Sequence, residues 1–222
     1  MFFADRVHLA PEDRVLEVGP GATPHPGSDV FLEKRFPEHE AFRQRGGLPR
    51  KELDRPVIYY EGDVFPFRDH EFDYVICSHV LEHVENVEMF LQEIVRVGSR
   101  GYIEFPTVHY EYLYNFEEHP NLLAYKNGEI LWMIKSETTL LEFEPMQQFL
   151  RKTLEAGYDD TIQAMKEFFF HGFEWNTSIK VRHVGRIGEL VPPDREIPAR
   201  TLGAKRISAL DRAKQLWMRS RR

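Results

Sequence analysis

The chain has 222 residues, 42% of them hydrophobic and 29% charged, which excludes a disordered polymer and allows one domain with a sizeable core. Its single cysteine, Cys77, excludes an intrachain disulfide, and no apolar run is long enough before a charge to span a membrane. The opening stretch MFFADRVHLAPEDR does not read as a signal peptide, so a cytoplasmic location is expected.

The net charge of −7 is unevenly spread. Residues 195–222 hold nine basic and two acidic side chains, leaving 20 basic against 34 acidic in the rest. This divides the chain into an acidic body, 1–194, and a basic tail, 195–222. Within the tail, Ile207, Leu210, Ala213 and Trp217 share one face of a helical pattern over Ala204–Arg219. Such a helix suits an anionic membrane surface, giving a membrane-peripheral protein, or a nucleic acid. It equally suits docking on the body.

In chain order, RVLEVG (Arg14–Gly19) reads as a buried strand stopped by a glycine-rich turn. DVFLE (Asp29–Glu33) is a second strand. Between them, residues 22–28 include Pro24 and Pro26 and are too few for the usual crossover helix. A helix is expected near Glu38–Arg45, then a strand over VIYYE (Val57–Glu61) closed by Gly62-Asp63. FDYVICS (Phe72–Ser78) shows little alternation, as expected of a central strand buried on both faces, with Cys77 as a small core residue. Val87–Val97 has helical apolar spacing, and YIEF (Tyr102–Phe105) is a fifth strand. Alternating strands and helices predict an α/β fold with a mainly parallel sheet and helices on both faces.

Further on, Asn127-Gly128 between two apolar runs predicts a hairpin of Leu122–Lys126 with Glu129–Ile134. Pro145–Ala156 predicts an amphipathic helix with Met146, Phe149, Leu150 and Leu154 on one face. A helix from Asp159-Asp160 through Phe169 and a strand within Trp175–Val184 complete the body.

Ligands of open α/β sheets bind beyond the carboxyl ends of the strands. Four features fall there: Glu17 with Gly19 and Gly21, then Glu33, then Gly62-Asp63, then Ser78-His79. The glycines let backbone approach a ligand, and Glu33 is placed to accept from vicinal ribose hydroxyls. An adenosyl ligand needs groups of this kind in this order.

EVGPG together with GDVFPFRDHEFDYVICSHVLEHV resembles the class I S-adenosylmethionine-dependent methyltransferases, in particular their ubiquinone-biosynthesis-like small-molecule branch. The resemblance covers roughly residues 14–106. It implies a Rossmann-like methyltransferase fold with a seven-stranded sheet, an antiparallel late hairpin and, in this chain, a shortened first crossover helix. It implies S-adenosylmethionine as cofactor and S-adenosylhomocysteine as product. Glu17, Gly19 and Gly21 would line the methionine moiety, Glu33 the ribose, Asp63 and the Val64 backbone the adenine, and Ser78 and His79 the sulfonium.

Methyl transfer is a displacement that depends more on positioning than on acid–base chemistry. If a base is used, His79 and His109 are the candidates. His79, Glu82 and His83 have i, i+3, i+4 spacing, but a metal site needs further ligands that the sequence does not single out, so none is assigned. The aromatic-rich segment after the fifth strand, carrying His109, Tyr110, Tyr112, Tyr114, Phe116, His119, Tyr125 and Trp132, is the expected pocket for a small-molecule acceptor. The run Phe168–Phe173 is expected chiefly in the core. A nicotinamide oxidoreductase fits poorly, because Pro24 stands where the dinucleotide fingerprint needs a small residue. A non-catalytic adenosyl-binding module acting through the tail is the remaining alternative.

Overall fold

The computed structural model describes residues 1–37, 53 and 55–192. The helix expected near Glu38–Arg45 and the basic tail lie outside the described residues, as does the boundary between body and tail. No helix among the described residues is long and apolar enough to cross a membrane.

Nine strands form two sheets among the described residues. The main sheet has the order β3-β2-β1-β4-β5-β8. Its strands are β1 (Val15–Val18), β2 (Val30–Lys34), β3 (Val57–Tyr60), β4 (Phe72–Ser78), β5 (Gly98–Pro106) and β8 (Phe170–Asn176). All neighbours are parallel except β5 and β8. The expected seven strands are therefore six among the described residues. The predicted hairpin forms, as β6 (Asn121–Lys126) and β7 (Glu129–Ile134), but in a separate sheet with β9 (Lys180–His183). Asn127 and Gly128 both take positive φ, the conformation a two-residue hairpin turn demands. The late strand expected within Trp175–Val184 is two strands, because the chain turns after Asn176.

Strand alternation sends Leu16, Val18, Val75, Cys77 and Ile103 to one face of the main sheet. Helix α1 (Val87–Val97) covers that face with Val87, Phe90, Leu91, Ile94 and Val97. Burying each such side chain contributes about 1.5–3 kcal/mol. Asn86 caps the helix by accepting from Met89 N–H at 3.0 Å. Leu123 and Ile130 bring the small sheet onto the same face. Val15, Tyr74, Ile76 and Tyr102 face the other way, under Phe3, Tyr114, Ile162, Phe169 and Phe170.

That second layer comes from α2 (Val108–Tyr114), α3 (Glu144–Thr153), α4 (Asp159–Ala164) and α5 (Lys166–Phe169). The single helix expected through Phe169 is broken at Met165. Of the apolar stripe expected over Pro145–Ala156, Leu150 and Leu154 pack on the core, while Met146 and Phe149 are exposed and Gln147 is buried. Gln147 is drawn inward by Asn115, whose amide donates to it at 2.8 Å, and itself donates to the Tyr112 carbonyl at 2.9 Å.

No helix connects β1 to β2; the link is two turns, as the prolines dictate. Glu17 holds it in place. Its Oε2 accepts from His25 N–H at 2.9 Å and from Ser28 Oγ at 2.6 Å, so one buried carboxylate staples the loop to the strand.

Candidate functional site

Parallel strands β1 to β4 all end on one edge, and a cavity of about 420 Å³ opens there. It lies around β1 and β4, where the strand order reverses. The volume falls within the usual range for small-molecule sites.

The first wall is the turn after β1. Gly19 (φ +63°) and Gly21 (φ +58°) both occupy the left-handed region. A Cβ at Gly19 would lie 2.5 Å from Val80 Cγ2, so this position needs both the conformation and the space of glycine. Glu17, Gly19 and Gly21 line the cavity together with Ala22 and Thr23. Glu17 is removed from water, and this pushes its carboxyl up to about 7 despite the donors from Ser28 and His25.

Glu33 stands at the end of β2, one residue past the Val18–Leu32 register pair, and lines the cavity beside Lys34. Gly62 and Asp63 line it from the turn after β3. That turn is anchored from α1: Glu93 accepts from Phe65 N–H at 2.7 Å, and Arg96 donates to the carbonyls of Phe65 and Phe67 at 3.0 and 2.8 Å. Arg96 is itself fixed by Glu93 and Asp69. Val64, whose backbone is expected to read the adenine, is 67% exposed, and the residues of this turn that line the cavity are Gly62 and Asp63.

Ser78 and His79 close the site at the end of β4. Ser78 pairs in register with Glu104 of β5, and this places a carboxylate under the cavity floor. Glu104 is fully buried and accepts from Phe2 N–H, Phe3 N–H, Ser78 Oγ, His79 Nε2 and Tyr102 Oη, at 2.8, 3.1, 3.1, 2.9 and 2.6 Å. Burial alone would raise its pKa; the His79 and Tyr102 hydrogen bonds and the His79 charge hold it down at about 2. His79 has φ +58° and engages a second carboxylate, Glu82, through Nδ1 at 3.2 Å. Burial would lower the His79 pKa, but the bonds to Glu104 and Glu82 raise it to about 9.

His79 is therefore an imidazolium at neutral pH with both ring nitrogens engaged. The base role expected of it is closed in this arrangement, because it has no lone pair to accept a proton. What it supplies is position: one imidazolium is held between two carboxylates, and the N-terminal ammonium, 3.9 Å from Glu104, offsets the remaining charge.

His109, the other expected base, sits on α2 and does not line the cavity. Of the aromatic-rich segment, only His119 lines it. Tyr114 is in the core, Tyr125 stacks on Phe173 at 3.6 Å, and Tyr112 is half exposed. The acceptor pocket expected from that segment is thus mostly structural packing. The run Phe168–Phe173 becomes chiefly strand β8, as core.

Sequence reasoning missed Glu104 and the place of His119. The signal for Glu104 was present: an acid inside the apolar strand YIEF, as Glu17 is inside VLEV. His119 had none, since only the tertiary fold brings it beside His83. Their rings meet edge to face, 4.5 Å between centroids.

Comparison with known proteins bears on this geometry. Residues 38–103 match the family model of a methyltransferase domain, a stretch that includes the turn after β3, all of β4 and α1. The chain is 47% identical over 47 residues to the bifunctional methionine biosynthesis protein MetXA/MetW of Rhodopirellula baltica, which is 21% of this chain and 8% of that protein. It is 42% identical over 45 residues to an uncharacterized protein of Methanocaldococcus jannaschii, 20% of this chain and 22% of that one. An S-adenosylmethionine-dependent methyltransferase structure from Thermotoga maritima aligns at 24% identity and a TM-score of 0.32, covering 45% of this chain and 46% of that one. The chain thus spans less than a quarter of the length of the two curated relatives. The match to the domain model supports a methyltransferase domain, and the doubly covered, mainly parallel sheet with its site at the strand-order reversal is a Rossmann-like architecture.

Proposed function

We propose that the chain binds S-adenosylmethionine in the cavity at the ends of β1 to β4 and transfers its methyl group to a small-molecule acceptor. The observation that carries this reading is the convergence of four strand ends, each with a group suited to one part of the cofactor. Gly19 and Gly21 bring backbone to the methionine end, with Glu17 facing its ammonium. Glu33 accepts from the ribose hydroxyls. Asp63 accepts from the adenine amine. Ser78 and His79 stand at the sulfonium. The match of residues 38–103 to a methyltransferase-domain model supports the same reading.

The cluster of Glu104, His79 and Glu82 suits this chemistry by its rigidity: Ser78 and His79 are both tied to the buried Glu104 carboxylate, so the floor under the donor is fixed before the cofactor arrives. The displacement needs the acceptor nucleophile in line with the methyl carbon and sulfur. The rigid floor and the glycine turn fix the donor for that encounter.

The test is calorimetric titration of the full chain with S-adenosylmethionine, S-adenosylhomocysteine and NAD. Both adenosyl ligands are expected to bind and NAD not to, with Asp63→Ala weakening both at least about tenfold, or about 1.4 kcal/mol. Binding of NAD in preference to either would overturn the reading. Labelled cofactor with a panel of metabolites then separates an enzyme from a binding module.

A further inference from the structure

On the cavity wall beside the donor site, Glu82, His83 and His119 come together from two distant segments. Glu82 is fully buried. One of its oxygens, Oε1, accepts from His79; the other, Oε2, has no hydrogen-bond partner. An unpaired buried carboxylate oxygen is costly, and native proteins keep such atoms where something else satisfies them.

The two histidines are oriented from behind. His83 Nδ1 lies 2.9 Å from the Glu118 carbonyl oxygen. His119 Nδ1 lies 2.5 Å from Glu111 Oε1, and Glu111 is a buried carboxylate held on its other oxygen by Lys135 Nζ at 3.2 Å. A carbonyl and a carboxylate only accept, so each Nδ1 carries a proton, and in the neutral ring each Nε2 offers its lone pair. One ligand atom from each of Glu82, His83 and His119 lies within 4.8 Å of the other two. Acceptors converge here without a proton to share, and a cation resolves that arrangement.

We infer that Glu82, His83 and His119 form a binding site for a divalent transition metal, zinc being the first choice. Two imidazole nitrogens and one carboxylate suit zinc and its borderline neighbours rather than magnesium or calcium, which prefer all-oxygen shells. Hydrogen bonds from the far nitrogen to a carboxylate or carbonyl are what ligating histidines make, and Glu111 and Glu118 supply them. Three protein ligands leave a coordination position for water or for an oxygen atom of the methyl acceptor. Metal binding itself does not depend on the methyl-transfer reading.

The full chain, stripped with a chelator and dialysed, is titrated with zinc chloride by calorimetry, and separately with cobalt(II) to record the visible absorption of the bound ion. One zinc per chain is expected, with His119→Ala and Glu82→Gln abolishing stoichiometric binding. Glu111→Gln, which leaves all three ligands in place, is expected to weaken zinc by about 10–100-fold. Circular dichroism and S-adenosylhomocysteine titration of each variant report folding and the donor site. Should His119→Ala fail to fold, His119→Gln and Glu111→Gln carry the test. The site is refuted if the stripped protein takes up no stoichiometric zinc, or if the folded variants bind it as the parent does. Zinc binding without S-adenosylhomocysteine binding upholds the metal site and overturns the proposed function alone.

Discussion

Glu17 and Glu104 are both acids in otherwise apolar strands, near the carboxyl ends of β1 and β5, and the two strand ends treat them in opposite ways. At the end of β1, Glu17 receives two neutral donors, and burial outweighs them, so its pKa rises to about 7. At the end of β5, Glu104 receives five donors, one of them the His79 imidazolium, and its pKa falls to about 2. Burial is common to both. The N-terminal charge acts on both as well; the difference is a hydrogen-bonded partner cation, His79, present at Glu104 and missing at Glu17. A carboxylate with its cation built in is a structural part; one without is poised to receive a cation from outside. Glu104 organises the floor of the cavity, and Glu17 lines its wall with no cation in hydrogen-bond contact.

The largest expected effect breaks the satisfied end. Glu104→Gln removes the charge that balances His79 and places an amide donor among donors. Loss of one partner of a buried pair costs about 3–5 kcal/mol, and a urea melt at neutral pH is expected to show a loss of that order. An unchanged midpoint would mean that His79 does not depend on Glu104. A smaller effect is expected at the other end from Gly19→Ala. The added methyl meets Val80, and a non-glycine residue must hold φ +63°, together costing about 1–3 kcal/mol. Because this turn also lines the cavity, S-adenosylhomocysteine binding is expected to fall with it. Full retention of binding would separate the turn from the methionine end.

The same comparison explains what could be read from the sequence. The parallel core, the missing β1–β2 helix, the Asn127-Gly128 hairpin and the Gly19, Glu33 and Asp63 walls follow from local pattern: apolar runs, prolines and turn residues at strand ends. Whatever depends on register or long-range approach did not show. Ser78 meets Glu104 only because β4 and β5 pair in one register. His119 reaches His83 only through the path of the chain between β5 and β6. The sequence singles out His109 as a candidate base and not His119, yet His119 lines the cavity and His109, on α2, does not. The departure at the start of α3 has a similar origin: Leu150 and Leu154 pack on the core as periodicity predicts, but the Asn115–Gln147 hydrogen bond buries a polar side chain while Met146 and Phe149 stay exposed.

The smallest effect is the most discriminating for Glu17. With its pKa near 7 in the free protein, a large fraction of Glu17 is protonated at neutral pH. A ligand ammonium favours the carboxylate form, so binding releases a proton and strengthens as pH rises through about 7. S-adenosylhomocysteine is expected to bind about tenfold more weakly at pH 6 than at pH 8, with the slope concentrated around pH 7. His79, held protonated to about 9, contributes little to that window. Glu17→Gln keeps an oxygen for the His25 N–H and the Ser28 hydroxyl but cannot titrate, so its affinity should be weaker than the parent's at pH 8 and nearly level across the range. Isothermal titration in two buffers of different ionisation enthalpy counts the released protons directly. A slope that persists unchanged in Glu17→Gln would assign the titration to another group and leave Glu17 a loop staple alone, the same kind of structural part as Glu104.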